Sequence, residues 1–283
     1  MQHLKVSELF YSIQGEGRYM GVPSVFLRTF GCNFTCGGFG MPHGKLSKER
    51  EKIAESISDY KDYKSLPLVS TGCDSYASWD PNFKHLSPVL TTDSIADSIN
   101  LLLPHSTWVD EHLVITGGEP LLGWQRAYPA LLDHPKMKSL KELTFETNGT
   151  QKLSTDFKQY LEHWGIETRG YQSITFSVSA KLTSSGEKRE EAILPEVVCD
   201  YEKVGYTYLK FVIATDEDIQ EVLEVTKLYR AAGFKGPVYV MPVGGVEKVY
   251  SMNNRKVAEF AMKHGLRYSD RLQVPLFKNE WGT

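Results

Sequence analysis

From residue 90 onward, short apolar runs alternate with stretches whose apolar residues recur every three or four positions. This pattern predicts strands separated by helices. TTDSIADSINLLL opens with Thr91 and Thr92 as candidate caps and places Ile95, Ile99 and Leu102 on one helical face. HLVITGGEP is a short apolar run ending in a glycine turn, the signature of a buried strand. KELTFETNGT and SITFSVSAK repeat it, each with small polar residues where the strand would end. TYLKFVI is a further strand, followed by a helix from about Thr215 and Asp216 to Gly233. VYVMPVGG and the helical NNRKVAEFAMKHG complete the series. Such alternation implies parallel pairing through right-handed crossovers. Ligands then gather at the carboxyl ends of the strands, where TGGEP, ETNGT, SVSAK and MPVGG all fall. One rim, and therefore one site, is expected.

Segment 37–72 breaks the rhythm. It begins with glycines, turns strongly charged through KLSKEREK and continues as AESISDYKDYKSLPLV. A short polar helix is expected within 46–60, with little apolar surface to bury. The segment reads as a surface insertion into a single domain spanning 1–283, one that orders with a partner.

Composition narrows the classes. Lys plus Arg number 32 against 35 for Asp plus Glu, a net charge of −3. That near balance gives no electrostatic reason to expect nucleic acid or an anionic membrane as partner. No apolar run has the length of a membrane span, and MQHLKVSELF lacks the apolar core of a signal peptide. A cytoplasmic location is expected, where thiols stay reduced and clustered cysteines mean metal or catalysis.

The cysteines carry the candidate chemistry. Cys32 and Cys36 lie in GCNFTCGGF, and Cys73 lies in GCDSYASWD. Three thiolates can hold an iron–sulfur cluster with one iron left open. A zinc site would want a fourth ligand, for which His43 is near in sequence. Free cysteine is also a common small core residue, the reading given to Cys199 in EVVCD. Spacing alone leaves cluster, zinc and core open.

The context adds a resemblance. FYSIQGEGRYMGVPSVFLRTFGCNFTC resembles the start of the 7-carboxy-7-deazaguanine synthases, radical S-adenosylmethionine enzymes of queuosine-type deazapurine biosynthesis. After Cys73, Asp74, Ser75, Tyr76 and Trp79 resemble the Asp–Thr and aromatic continuation of that family. TGGEP, ETNG and the S-x-K of SVSAK extend the likeness over most of the chain outside 37–72. One departure touches the cluster. In CxxxCxxC the third cysteine would fall at position 39, which is Phe39, and 36 residues separate Cys36 from Cys73. Closure entropy grows only logarithmically with loop length, so a displaced third ligand is tolerable.

The resemblance implies an α/β fold, an incomplete parallel β/α barrel with the cluster loop after the first strand. It implies that Cys32, Cys36 and Cys73 hold a 4Fe-4S cluster whose open iron takes S-adenosylmethionine, and that one electron then releases a 5′-deoxyadenosyl radical. Cofactor contacts are implied at Gly118, Glu119, Glu146 and Asn148, at Ser179, Ala180 and Lys181, and at Met241, Pro242, Val243 and Gly244. Without the resemblance these would read as ordinary turns and a surface lysine. Substrate contacts are implied at Ile13, Gln14, Gly15, Glu16, Arg28, Thr116 and Thr283. Arg28 suits a carboxylate, and Ser75 stands where relatives offer a hydroxyl to Mg2+. Relatives often place a His in a last strand, where this chain has Gln273 in RLQVPLF. They end in a WG segment, matched by Trp281 and Gly282, after which Thr283 offers a carboxylate. The implied reaction converts 6-carboxy-5,6,7,8-tetrahydropterin to 7-carboxy-7-deazaguanine with loss of ammonia. An electron donor such as a flavodoxin and a homodimer come with the family. Two other readings are a radical activase acting on a protein partner, and a non-enzymatic zinc-binding module that docks through 37–72.

Overall fold

A computed structural model of the chain describes residues 2–244 and 247–283, the side chains of 247–253 excepted. Among these residues, strands β1 (His3–Ile13), β2 (Pro23–Thr29), β3 (Val89–Thr91), β4 (His112–Gly117), β5 (Leu143–Thr147), β6 (Ile174–Val178), β7 (Tyr206–Ile213), β8 (Val238–Pro242) and β9 (Arg267–Tyr268) form one sheet. Their spatial order is β3-β1-β2-β4-β5-β6-β7-β8-β9. Pairing is parallel from β2 through to β9, whereas β1 runs antiparallel to both β2 and β3. The edge strands β3 and β9 do not pair with each other, so the sheet stays open, as in an incomplete barrel. The helices are α1 (Glu49–Glu55), α2 (Thr92–Leu102), α3 (Tyr128–Leu132), α4 (Thr155–Leu161), α5 (Arg189–Ala192), α6 (Pro195–Tyr201), α7 (Asp216–Ala231), α8 (Glu247–His264) and α9 (Gln273–Phe277).

The core follows from the two periodicities. Every residue of β6 is buried, as is every residue of β4 up to its terminal glycine. Both faces of a central parallel strand are covered, so its apolar run is continuous. Phe145 stacks on Phe176 at 5.6 Å, and Phe176 on Tyr201 of α6 at 4.6 Å, joining sheet to helix. Each buried ring contributes roughly 1.5–3 kcal/mol of hydrophobic stabilisation. In α2 the buried face is Ile95, Ala96 and Ile99, and Thr91 caps the helix by accepting from the Ser94 N–H at 3.1 Å. At α7 a full capping box forms: Thr215 Oγ1 accepts from the Asp218 N–H at 3.3 Å, and Asp218 Oδ2 accepts from the Thr215 N–H at 2.8 Å.

Three expectations change. The cysteine loop follows β2, not the first strand of the chain, because β1 is an added antiparallel strand on the edge of the parallel series. RLQVPLF is not a last strand but α9, preceded by the two-residue β9. Pro275 has no N–H for a ladder yet is tolerated in a first helical turn. Segment 37–72 carries a helix within the expected span, but it does not lack apolar cover. Tyr63, Leu66 and Val69 build a small second core with Tyr76, Ala77 and Phe83, flanked by Ile53, Ile57 and Tyr60. These apolar residues recur every third or fourth position, and the chain follows them through α1 and two single 3₁₀ turns, Ile57–Asp59 and Tyr63–Ser65.

The α7 cap gives a simple check on this architecture. Thr215→Ala should cost about 1 kcal/mol, read as a lower denaturant midpoint with an unchanged slope.

Candidate active site

The carboxyl ends of the parallel strands surround a cavity of about 260 Å³. The end of β1 supplies Ile13, Gln14, Gly15 and Glu16 to its wall, and β2 supplies Arg28. The rim loops add Thr116, Gly117 and Gly118, then Glu146 and Asn148, then Ser179 and Lys181, then Met241, Val243 and Gly244. Cys32, Cys36, Cys73 and Ser75 line it as well, and so does Thr283. The four strand ends named from sequence therefore do share one rim.

One part of the lining is sulfur-rich and apolar. Cys32, Cys36 and Cys73 pack in one cluster with Phe34, Phe39 and Ala192, and all three are free thiols. Burial pushes the Cys32 thiol up to about 12 and raises Cys36 and Cys73 as well. These sulfurs stay protonated until a cationic group offsets the burial. Among the described residues no three His, Cys, Asp or Glu side chains gather tightly enough for a single metal ion. Three thiols from two stretches of chain lining one cavity suit a multi-iron group, whose thiolates bind different irons. His43 is exposed and lies outside the cavity lining, so it does not complete a zinc set. Phe39 instead lies under Lys181 Nζ, 5.9 Å from the ring centre.

The cysteine loop is held by backbone contacts that sequence gave little warning of. Gly31 O accepts from the Glu119 N–H at 2.7 Å. A Cβ on Gly118 would lie 2.5 Å from Gly31 O and 2.7 Å from Cys32 Cβ, and one on Gly117 would lie 2.3 Å from Thr29 O. The glycine pair is thus required by the approach of the β2 loop, beside any role toward a ligand. Glu187 Oε1 accepts from the N–H groups of Thr35 (2.8 Å) and Cys36 (2.7 Å), bracing Cys36 in its left-handed conformation at φ +47°. Asn148 Nδ2 donates to Asn33 Oδ1 at 2.9 Å, tying the ETNG turn to the same loop.

Another part of the lining is polar and ionic, and it meets the first at Cys73, Asp74 and Ser75. Arg28 Nε donates to Glu8 Oε2 at 2.8 Å, and its Nη1 to Ser75 Oγ at 3.3 Å. Burial raises Glu8, while the same pairing holds Arg28 protonated despite burial. Glu16 accepts from Lys210, from Arg271 Nε at 3.0 Å and from Gln273 Nε2 at 2.8 Å. Burial alone would raise Glu16, but Lys210 and Arg271 outweigh it and hold the carboxyl well below its usual range. Arg271 Nη2 also donates to Asp74 Oδ2 at 2.8 Å. Gln14 Nε2 donates to Glu146 Oε1 at 3.1 Å, closing the network beneath the rim.

Three named residues do not reach the cavity. Glu119 is fully buried and accepts from the N–H groups of Leu121 (3.0 Å) and Asn148 (2.6 Å) and from Thr147 Oγ1 (2.8 Å). Burial pushes it up to about 7 against these donors, and it acts as a brace between the β4 and β5 ends. Ala180 packs into the main core, and Pro242 lies between two lining residues without joining them. Conversely, Glu8, Lys210, Arg271 and Glu187 were not singled out from the sequence. Lys210, a lysine inside the apolar run TYLKFVI, was the legible signal, since buried lysines are rare without a partner.

The contact at Gly118 yields a prediction. Gly118→Ala should destabilise by about 1–3 kcal/mol through overpacking. Gly37→Ala, whose Cβ would meet only Leu46 at 3.5 Å or more, should stay within about 0.5 kcal/mol. Denaturant unfolding of the two variants checks both.

No family model matches the chain. A 7-carboxy-7-deazaguanine synthase of Halobacterium salinarum is 30% identical over 301 residues, covering 98% of this chain and 91% of the relative. A 7-carboxy-7-deazaguanine synthase of Rhodopirellula baltica is 26% identical over 293 residues, covering 99% of this chain and 89% of that protein. The crystal structure of QueE from Escherichia coli superposes with a TM-score of 0.58 at 18% identity, covering 95% of this chain and 94% of that one, a likeness of fold. With near-complete coverage of both chains on top of the shared motifs, the chain belongs to the 7-carboxy-7-deazaguanine synthase family.

Proposed function

We propose that this radical S-adenosylmethionine enzyme converts 6-carboxy-5,6,7,8-tetrahydropterin to 7-carboxy-7-deazaguanine with loss of ammonia, and that the cysteine-lined and the Arg28-lined parts of the cavity each serve one partner of that reaction. The observation that carries this reading is a single cavity lined both by three free thiols and by a half-buried arginine oriented by Glu8. Cys32, Cys36 and Cys73 would hold the cluster, leaving the fourth iron to S-adenosylmethionine. When bound, the pair supplies a carbon radical that removes one hydrogen atom from the substrate.

The chain's own residues do the rest. Gly118, Asn148, Ser179 and Lys181 line the cavity with the cysteines, and Met241, Val243 and Gly244 line it too, as the cofactor's contacts. Lys181 Nζ donates to Ser179 Oγ at 2.9 Å, which keeps a positive charge near the three sulfurs. Arg28, already oriented by Glu8, receives the substrate carboxylate. Gln14, Glu16 and Glu146 present amide and carboxylate groups suited to the donor and acceptor edge of a pterin. Glu16 is held ionised by Lys210 and Arg271, so it accepts hydrogen bonds only. Ile13, Gly15, Thr116 and Thr283 complete the substrate wall.

Mg2+ belongs to the same proposal. Ser75 Oγ accepts from Arg28 and donates to Asp74 Oδ1 at 3.2 Å. A hydroxyl has two lone pairs, so one remains to face a cation. Mg2+ needs only one or two protein oxygens when substrate and water supply the others. Electron delivery by a flavodoxin-type donor and a homodimeric assembly go with this reading.

Anaerobic reconstitution with iron and sulfide should give a brown protein, and Cys73→Ala should lose most of its iron. Equal iron in the two would remove Cys73 from the cluster. Incubation with the pterin and a reductant should give the deazaguanine, and Mg2+ should accelerate turnover more in the native protein than in Ser75→Ala. Arg28→Ala should lower kcat/KM by about 10- to 150-fold, the worth of a charge-assisted bond, with the iron content unchanged. Absence of pterin turnover by the native protein would count against the reaction proposed.

A further inference from the structure

Segment 37–72 does more than span the gap between Cys36 and Cys73. Its apolar residues Tyr63, Leu66 and Val69 enclose Trp281, which lies more than two hundred positions further along the chain. The Trp281 ring meets Tyr63 edge-on at 4.8 Å and Tyr76 at 5.7 Å. Its Nε1–H donates to Leu66 O at 2.8 Å. Leu68, Val69 and Ser70 line the cavity, and so do Trp281, Gly282 and Thr283. The contact continues to Arg28: the Gly282 backbone N–H faces the Glu8 carboxylate, which accepts from Arg28 Nε at 2.8 Å.

We infer that segment 37–72 is a clamp: Tyr63 and Leu66 seat Trp281, Gly282 thereby fixes Glu8, and Glu8 holds Arg28 in the orientation that receives a carboxylate. Trp281 and Tyr63 are positioning residues, acting on the substrate through Glu8 and Arg28. The chain of contacts explains why Arg28, which donates through Nε to Glu8, keeps its terminal nitrogens toward Ser75 and the cavity. It also explains what the segment's second core is for. A polar insertion without a core could bridge the cysteines, but it would offer Trp281 no seat. Two small turns carry the seat: the Asp62–Ser65 capping box fixes Tyr63, and the Tyr76 hydroxyl donates to Pro67 O at 2.8 Å, fixing the strand of chain after Leu66.

The consequence for substrate rests on the pterin reading above, so the test has one arm without turnover. In hydrogen–deuterium exchange on the full-length protein, Trp281→Ala should speed exchange across residues 60–70 about tenfold, and Tyr63→Ala should do the same across 278–283. Unchanged exchange in both overturns the clamp. In the second arm, Trp281→Ala and Tyr63→Ala should each raise the KM for the pterin about tenfold while kcat changes less than about twofold. The double variant should do no more than either alone, and Trp281→Phe should restore most of the loss. Iron content reports whether the fold and cluster survive: a KM rise accompanied by loss of iron assigns Trp281 to the cluster scaffold and overturns the positioning role, as does an unchanged KM. If the native protein fails to turn over the pterin while exchange responds as stated, the substrate reading fails and the clamp stands.

Discussion

Charge removed from water must be matched by charge, and the cavity is built around that requirement. Leaving one buried ion unpaired costs several kcal/mol, and here carboxylates and cations from opposite ends of the chain neutralise each other. Glu16, from the turn after β1, meets Lys210 in the middle of β7 and Arg271 after β9. Arg271 meets Asp74 in the stretch after Cys73. Glu8 of β1 meets Arg28 of β2. An incomplete barrel lacks the hydrogen bonds that would join its two edges, and this network spans the rim in their place. The added antiparallel strand β1 thereby becomes part of the site, because its end delivers Gln14 and Glu16 over the parallel strands.

The cavity lining is apolar around the cysteines and ionic around Arg28, and the difference matches the two tasks proposed for it. The cysteine part is packed against Phe34, Phe39 and Ala192, so its thiols are pushed up and wait for a cationic partner. The Arg28 part is crowded with fixed charges that are already satisfied, so they are held in place before any ligand arrives. Preorganisation of this kind depends on supports outside the cavity. Glu119 and Glu187 are two of them, each a carboxylate accepting backbone N–H groups from a rim loop. Neither needs to touch a ligand to matter.

Segment 37–72 illustrates how a local reading of polarity misleads. KLSKEREK is solvated as its charges demand, yet Arg50 also pairs with Asp80 and lies over the Trp79 ring at 4.9 Å. The apolar residues that follow are spaced for short 3₁₀ turns, and their cover includes Tyr76, Phe83 and Trp281 from outside the segment. Ring partners more than two hundred residues apart leave no trace in any window of sequence.

What the sequence by itself determined is what short-range periodicity and residue chemistry encode. Ile95 and Ile99 mark a helix face, HLVITG marks a strand buried on both sides, Thr215 marks a helix start, and four polar strand ends mark a rim. Cys32, Cys36 and Cys73 were recognisable as one set because the residues around each carry the family's pattern. Tertiary structure alone decided the rest. It made β1 antiparallel, turned RLQVPLF into a helix, set Glu119 behind the rim instead of on it, and paired Lys210 with Glu16. It also assigned Gly117 and Gly118 to the close approach of the β2 loop. Each of these turns on which distant backbone or charge arrives beside a residue, and a chain's local pattern specifies how a segment folds without specifying what it will be packed against.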